Sequence, residues 1–182
     1  LAVLSLQSLA RSDTPTVVTY HSDIVRQAVS GKLYRPLLKR FLTSVDTIVT
    51  TSPRLRSSSP VLNQVDECEV IPLAVSSKLL NTPVKPVPLP DGESTPTILF
   101  VGRLGYYKGL SYLIDAMKDV EANCVIVGDG EKRETLQRQT DENDLNDKVH
   151  FLGRLSDAEV RYCYEHSDVF VLPSIHPSEA FG

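Results

Sequence analysis

Residues 97–109 read Thr-Ile-Leu-Phe-Val-Gly-Arg-Leu-Gly-Tyr-Tyr-Lys-Gly, and they establish the fold class of the chain. The first five, Thr97–Val101, form a continuous apolar run, which is typical of a strand buried on both faces of a sheet. A glycine-rich loop follows at once, and apolar residues then recur at helical spacing from Leu110 to Val120. This stretch therefore predicts a buried parallel strand, a loop and a covering helix.

The same order of strand, loop and helix repeats through the rest of the second half. Further strands are predicted at Cys124–Val127, Val149–Leu152 and Val169–Leu172, and helices over 131–142 and 156–166. Ser156-Asp157-Ala158-Glu159 has the form of a capping box, which marks the start of the last of these helices. Repetition of this kind predicts an α/β fold with a parallel sheet and right-handed crossovers.

The first 75 residues follow the same pattern with fewer strands. Strands are predicted at Thr16–Tyr20, Thr47–Thr50 and Glu69–Leu73, and an amphipathic helix over 32–45. Ser52 and Pro53 stand where a further helix would begin, with Ser at the N-cap and Pro in the first turn. Because a doubly wound domain usually has five or six strands, we expect residues 1–75 to be the C-terminal half of such a domain.

Residues 76–96 separate the two parts. They hold five of the twelve prolines and the Asp91-Gly92 pair, and they show no helical or strand periodicity. This composition predicts an extended linker over 76–96, followed by a second α/β domain over 97–182.

Composition and charge exclude several classes of protein. With 41% hydrophobic and 23% charged residues, the chain is neither disordered nor fibrous, and no apolar run approaches the roughly 18 residues of a transmembrane helix. The net charge of −4 argues against a nucleic-acid partner. The three cysteines are odd in number and widely spaced, so they indicate neither a disulfide framework nor a zinc site, and a reducing cytosol fits best.

Candidate binding loops follow the strands, because ligands of open parallel sheets bind beyond the carboxyl ends of the strands. The loop 102–109 has the residues of an anion site: glycines admit a phosphate to the backbone, Arg103 offers a fork of donors and Lys108 a point charge. It lacks the ending of a P-loop and the spacing of a dinucleotide turn. A plainer interpretation is that both cations are solvated. Similarly, Gly128-Asp129-Gly130 is a tight turn that also lets a flat base or ribose lie against the backbone.

Several motifs occur together and in a fixed order. They are Gly102-Arg103-Leu104 with Lys108-Gly109, Val127-Gly128-Asp129-Gly130, Phe151-Leu152-Gly153, and Leu172-Pro173-Ser174 with Glu179-Ala180-Phe181-Gly182. In this order they resemble the donor-binding domain of the family-four retaining glycosyltransferases, also called glycosyl transferases group 1. In the first half, the segments 17–23, 48–52 and 70–73 are similar to that family's acceptor domain. The resemblance implies the GT-B architecture, in which two Rossmann-like domains face each other, with the acceptor side at 1–75 and the donor side at 97–182.

The resemblance also implies a role for each matched residue. The family places an Arg and a Lys at the positions of Arg103 and Lys108, where they neutralise the leaving nucleoside diphosphate in place of a divalent metal. Glu179 matches the first Glu of a Glu-x₇-Glu signature that contacts the donor sugar, and His21 matches a His that reaches the same sugar. The implied catalytic set is Glu179, His21, Arg103 and Lys108. The implied donor-binding set is Gly102, Arg103, Lys108, Gly128, Asp129, Gly130, Leu152, Glu179, Ala180, Phe181 and Gly182.

On the residues alone, two of these positions have simpler interpretations. A His directly after a strand, such as His21, is commonly a hydrogen-bonded structural residue. A lone Glu at a helix start, such as Glu179, interacts with the helix dipole. The chain also departs from the family pattern, since Ala74 stands where the family has Gly and the second Glu of the signature would fall beyond Gly182. We therefore expect a chain truncated at both ends that is weak or inactive by itself.

The function implied by the resemblance is transfer of a hexosyl group from a UDP or GDP sugar to a glycan or lipid-linked acceptor in cell-envelope polysaccharide synthesis, in the cytoplasm and without a metal or cofactor. The segment 24–60 carries seven basic residues against Asp46 alone. It is interpreted as a solvated face, or alternatively as a surface that brings Arg35, Lys39 and Arg40 to anionic lipid on the inner membrane face. The competing functions are another GT-B reaction, such as epimerisation or phosphorolysis, and a non-catalytic nucleotide-binding fragment.

Overall fold

The computed structural model describes residues 15–21, 36–65, 67–74, 77, 81–90 and 95–175. These residues belong to two compact units, the first reaching Ala74 and the second containing the described residues beyond it. Each unit is built on a parallel sheet covered by helices. This confirms the predicted fold class.

The first unit has a sheet of three described strands. Strands β1 (Val17–Tyr20), β2 (Thr47–Thr50) and β3 (Glu69–Val70) lie in the order β1-β2-β3, and all pairs are parallel. Helix α1 covers the described residues 36–42, helix α2 is Pro53–Ser58, and a 3₁₀ turn spans Leu62–Gln64. The Oγ of Ser52 accepts the N–H of Leu55 at 3.1 Å, so the predicted cap is confirmed. The core contains Tyr20, Leu42, Ile48, Leu55, Leu62 and Cys68.

The second unit has four described strands. They are β4 (Thr97–Val101), β5 (Asn123–Val127), β6 (Val149–Gly153) and β7 (Val169–Phe170), in the order β6-β5-β4-β7, all parallel. A 3₁₀ turn spans Tyr106–Lys108, and the helices are α3 (Leu110–Ala116), α4 (Arg133–Glu142) and α5 (Asp157–Glu165). The Glu159 carboxylate accepts the backbone N–H of Ser156 at 2.9 Å, which confirms the predicted capping box.

Strands β4 and β5 lie at the centre of this sheet and are buried on both faces. Phe100 and Ile126 face a core layer under α3 and α4, whereas Leu99 and Val125 face a layer that includes Cys163 of α5. Helices therefore cover both sides of the sheet, as in doubly wound folds. This burial on both faces explains why Thr97–Val101 is a continuous apolar run.

Two irregularities of the sheet determine where its loops emerge. The chain passes from β4 to β5 and β6 on one side, and then returns to place β7 on the other side of β4, so the strand order reverses beside β4. In addition, the register of β6 against β5 shifts by one residue, since Ile126 pairs with Phe151 but Val127 pairs with Gly153. Leu152 is the extra residue of a β-bulge.

The described part of the segment predicted as a linker packs on the second unit. The Nζ of Lys85 donates to Glu159 at 2.8 Å, and its backbone N–H donates to the carbonyl of Ala158 at 3.1 Å. Arg161 of α5 donates to the carbonyl of Thr82 at 2.6 Å. Val87 and Leu89 add apolar contact to the layer beneath α5. Residues 82–89 therefore form a strap across this helix.

Some predicted boundaries differ from the structure. Helix α3 ends at Ala116, and Val120, which was predicted to face the core, is exposed. Leu37 on α1 is exposed as well. The predicted strands Glu69–Leu73 and Val169–Leu172 each shorten to two residues, and one further N–H beyond each strand, that of Ile71 and that of Val171, donates to the neighbouring strand at 2.9 Å.

All three cysteines are buried and carry free thiols, and burial raises the pKa of the Cys124 thiol to about 12. Within the part of the chain that the structure describes, no helix has both the length and the apolar composition needed to cross a bilayer.

Candidate functional site

The loops after β4 and β5 are joined by backbone hydrogen bonds. The N–H of Gly102 donates to Val127 and that of Leu104 to Asp129, both at 3.0 Å. The N–H of Lys132 returns to the carbonyl of Leu104, also at 3.0 Å. Each loop therefore supports the other, which fixes their backbone positions without the help of side chains.

Gly128 stands where these loops approach each other most closely. Its φ is +127°, and a Cβ at this position would overlap the carbonyl oxygen of Gly102. Its N–H donates to the carbonyl of Gly153 at 2.7 Å, which joins the loop after β6 to the other two. Only glycine meets both requirements at this position.

The loop after β7 approaches the same region from the other side of β4. Gly109 has a left-handed conformation with φ of +68°, and a Cβ there would overlap the carbonyl oxygen of Pro173. The N–H of Ile175 donates to the carbonyl of Tyr107 at 3.0 Å. The loop 102–109 is thus held between its neighbours on both sides.

A cleft of about 460 Å³ opens where β4, β5 and β6 end, and its lining comes from three loops: Gly102, Arg103, Gly128, Asp129, Gly130 and Arg154. Three of the six lining residues are glycines, so a ligand in this cleft meets backbone over much of its surface. The position agrees with the general rule that open parallel sheets bind ligands beyond the carboxyl ends of their strands.

Asp129, one of the lining residues, lies between two guanidinium groups. Its carboxylate is 3.9 Å from Nε of Arg154 and 3.9 Å from Nη1 of Arg133, distances that indicate charge pairing without a hydrogen bond. The Oδ1 of Asp129 accepts the N–H of Gly130 at 2.9 Å, which fixes the turn. Arg154 is 84% exposed and makes no hydrogen bond within the described residues, so its donors are available to a ligand.

Arg103 makes its ion pair with Glu131. Its Nε and Nη2 both donate to one carboxylate oxygen, Oε2, at 3.3 and 3.2 Å. Both side chains are largely open to solvent, with 70% and 45% of their surfaces exposed. Pairs of this kind are weak, so the guanidinium can exchange Glu131 for another anion at small cost.

Lys108 has a different environment from Arg103. It is only 9% exposed, and its Nζ lies 5.5 Å from the centre of the Tyr107 ring, within the range of a cation–π contact. Its Cε lies 3.8 Å from the position that a Cβ on Gly102 would take. Lys108 therefore places a buried positive charge next to Gly102, where burial limits screening by water.

The chemistry available in this cleft is the binding of an anion flanked by flat groups. The Arg103 and Arg154 guanidinium groups present forked donors that match phosphate oxygens, and Lys108 adds fixed positive charge. The glycine backbones at 102, 128 and 130 admit a ring close to the loop.

The structure brings together five of the residues that the sequence indicated: Gly102, Arg103, Gly128, Asp129 and Gly130. Lys108 lies next to them, whereas Leu152 packs into the core layer under α5. His21 follows β1 in the first unit and is exposed. Glu179, Ala180, Phe181 and Gly182 lie outside the described residues.

Sequence reasoning did not select Arg154 or Glu131. A signal for both was present, because Arg154 directly follows Gly153 at the end of a predicted strand and Glu131 directly follows Gly130. A search of every residue just beyond a strand or a glycine turn would have included them.

Comparisons with known proteins of similar sequence find glycosyltransferases. The family model described as "Glycosyl transferases group 1" matches residues 84–182. The chain is 42% identical over 190 residues to D-rhamnosyltransferase WbpZ of Pseudomonas aeruginosa, covering 96% of this chain and 46% of that protein. It is 39% identical over 175 residues to O-antigen chain mannosyltransferase C of Escherichia coli, covering 95% of this chain and 47% of that protein. The chain thus spans about half the length of these curated relatives.

Solved structures are similar in fold. Sucrose-phosphate synthase from Thermosynechococcus elongatus superposes with a TM-score of 0.77 at 23% identity, covering 99% of this chain and 49% of that one. HepE from Anabaena in complex with UDP-glucose gives a TM-score of 0.74 at 18% identity, covering 100% of this chain and 51% of that one.

Proposed function

The chain belongs to the glycosyl transferases group 1 family. On that premise we propose that it takes part in the transfer of a hexosyl group from a nucleoside-diphosphate sugar, with retention of the anomeric configuration. The acceptor in this proposal is a glycan or a lipid-linked glycan of cell-envelope polysaccharide synthesis. The names of the relatives support that class, since one is an O-antigen chain mannosyltransferase and another a lipopolysaccharide core biosynthesis glycosyltransferase.

The cleft at the ends of β4, β5 and β6 is the single observation that carries the proposal. It combines glycine backbones with two guanidinium groups, and the buried Lys108 lies next to Gly102 of the same loop. A nucleoside diphosphate requires both features, because its phosphates need positive charge and its flat base and ribose need close approach.

In the proposed reaction, the bond between the anomeric carbon and the oxygen of the donor's second phosphate breaks, and its electron pair leaves with the diphosphate. The acceptor hydroxyl oxygen forms the new bond to that carbon from the same face. The hydroxyl proton passes to an oxygen of the departing diphosphate. Each product is thus accounted for without an external acid or base.

The residues of the chain have separate tasks in this proposal. The Arg103 guanidinium and the Lys108 ammonium offset the negative charge that develops on the diphosphate, the task that a metal ion performs in other glycosyltransferases. Because the buried Lys108 ammonium is fixed before the reaction, little reorganisation is needed when that charge appears. Glu179 and His21, the positions that the sequence resemblance assigns to the donor sugar, contact that sugar in this proposal.

We also propose that the protein works in the cytoplasm as a peripheral protein of the inner membrane face, attached through the basic segment 24–60. Of the residues that would approach anionic lipid, Lys39 and Arg40 are exposed on α1, which supports the proposal. Arg35 lies outside the described residues.

The diphosphate site is tested by calorimetric titration of the purified chain with UDP, GDP and ADP. We expect Arg103→Ala to weaken binding by about ten- to a hundredfold, the range for a lost hydrogen bond to a charged group. Lys108→Met should act in the same direction while keeping the length of the buried stem.

Arg138→Ala is the matched control, because Arg138 is exposed on α4 and its loss changes the net charge equally. The site would be refuted if each nucleotide bound with the same affinity to Arg103→Ala, Lys108→Met and Arg138→Ala.

A further inference from the structure

Glu131 is a charged residue beside the cleft to which the proposed reaction gives no role. Its Oε2 accepts two hydrogen bonds from Arg103, at 3.3 and 3.2 Å. The other oxygen, Oε1, lies 3.5 Å from the position that a Cβ on Gly105 would take, so the carboxylate lies against the loop 102–109. Glu131 therefore connects the turn after β5 to the loop that carries Arg103.

The carboxylate is held by the backbone as well as by Arg103. The N–H of Glu131 itself is the main cause that keeps the pKa of this carboxyl below its usual range, and Arg103 and the N–H of Tyr106 act in the same direction. The Arg103 side chain is the more exposed partner, at 70% against 45%. When the pair separates, we expect the guanidinium to move and the carboxylate to stay.

We propose that Glu131 is a positioning residue that holds the Arg103 guanidinium until an anionic ligand displaces the Glu131 carboxylate. By competing with the ligand for Arg103, this carboxylate lowers the affinity of the cleft for diphosphate. The inference rests on the proposed function in taking the anion to be the diphosphate of the donor. It adds a role for a residue that touches Arg103 and contacts the ligand only through it.

Two physical effects make the carboxylate a competitor. Both Nε and Nη2 of Arg103 are engaged by Glu131, and these atoms form one of the forked edges with which a guanidinium binds phosphate. The negative charge also remains beside Arg103 after the exchange, where it repels the incoming phosphate. Because the pair is exposed, its strength corresponds to a factor of about two to five in an equilibrium constant.

The variant Glu131→Gln removes the charge and keeps an oxygen that accepts the backbone N–H groups. We expect it to bind inorganic pyrophosphate and UDP about two- to fivefold more tightly than the unaltered chain in calorimetric titrations. The matched control is Glu134→Gln, because Glu134 is exposed in the first turn of α4, makes no ion pair within the described residues and changes the net charge equally. It should leave the affinity unchanged.

A double variant separates this role from a merely structural one. If Glu131 acts through Arg103, the gain from Glu131→Gln disappears in the Arg103→Ala background. A second measurement needs no ligand: in an NMR titration, Arg103→Ala should raise the pKa of the Glu131 carboxyl toward its ordinary value. An unchanged titration would show that the two groups do not pair in solution and would overturn the proposal.

The outcomes distinguish this inference from the function on which it rests. If Arg103→Ala weakens pyrophosphate binding while Glu131→Gln behaves like Glu134→Gln, the diphosphate site stands and the role of Glu131 is refuted. Weaker binding by Glu131→Gln would also refute it, since the carboxylate would then orient Arg103 for the ligand. If neither the unaltered chain nor Glu131→Gln binds pyrophosphate or UDP, both proposals are refuted together.

Discussion

Replacing Gly128 with Ala tests the view that the cleft depends on a backbone contact that only glycine permits. Gly128 has a φ of +127°, and a Cβ would overlap the carbonyl oxygen of Gly102. The obstacle is backbone, and Gly102 is itself held by its hydrogen bond to Val127. Neither loop can therefore yield by rotating a side chain.

The cost has two parts. A residue with a side chain in a sparsely populated backbone conformation costs on the order of 1–3 kcal/mol. Forcing the two loops apart adds on the order of 1–3 kcal/mol, as overpacking does in other cores. Because partial relaxation shares these costs, we expect Gly128→Ala to lower the free energy of unfolding by about 2–4 kcal/mol. For a unit of this size, the corresponding fall in Tm is roughly 10–25 °C.

Thermal unfolding followed by circular dichroism measures this loss, and Gly105→Ala is the matched control. Gly105 has an ordinary φ of −103°, and its Cβ would meet the edge of the Tyr107 ring, a side chain that can turn away. We expect its effect to stay below about 1 kcal/mol. If the two variants had the same Tm, the close approach of Gly128 to Gly102 would not constrain the protein in solution.

Two further predictions concern the strap on α5 and the basic segment. The hydrogen bond from Lys85, and then those from the N–H and hydroxyl of Ser156, lower the pKa of the Glu159 carboxyl from 4.5 to about 2. The stabilising effect of the ionised carboxylate is therefore complete above pH 4.5 and is lost as the pH falls through 2. Urea unfolding should therefore show Glu159→Gln less stable than the unaltered chain at pH 7, with a difference that narrows by pH 3; a constant difference would contradict this. The chain should co-sediment with vesicles rich in phosphatidylglycerol and less with phosphatidylcholine, and Lys39→Glu with Arg40→Glu should reduce this binding. Equal binding to both vesicle types at any salt concentration would exclude an electrostatic membrane contact.

The central strands were predictable because their burial leaves a direct mark on the sequence. Thr97–Val101 and Thr47–Thr50 have the predicted bounds, and both pair with strands on either side. In Thr97–Val101, burial on both faces of the sheet accounts for the continuous apolar run. In Thr47–Thr50, the β-branched residues Thr, Ile and Val favour a strand. The confirmed caps at Ser52 and Ser156 are likewise local, since the contacts lie within three residues.

Strands β3 and β7 were predicted too long for a reason that the sequence does not show. Val169–Leu172 is as apolar as a central strand, yet its register with β4 covers only Val169 and Phe170, and the N–H of Val171 adds one further hydrogen bond to Leu99. Strand β4 continues to Val101, so β7 leaves the sheet before its neighbour ends. Strand β3 ends together with its neighbour, since its last pair joins Val70 to Thr50, the last residue of β2.

The candidate site was predictable as far as it is made of local motifs. The glycines and Arg103 follow strands directly, so their position at the carboxyl edge followed from the strand prediction. The burial of Lys108 depends on how the loop packs. The pairing of Arg103 with Glu131 joins residues that lie 28 positions apart in the chain. No periodicity in the chain reports such contacts.

The β-bulge at Leu152 gives β6 a change of phase just before its end. In a regular strand, side chains alternate between the two faces, and one additional residue reverses that alternation for everything that follows. The direction in which residue 154 leaves the sheet is thus a matter of counting: it depends on how many residues β6 contains and on the hydrogen bond between Gly128 and Gly153. The backbone of the strand, and not the side chain of Arg154 itself, therefore determines where this guanidinium enters the lining of the cleft.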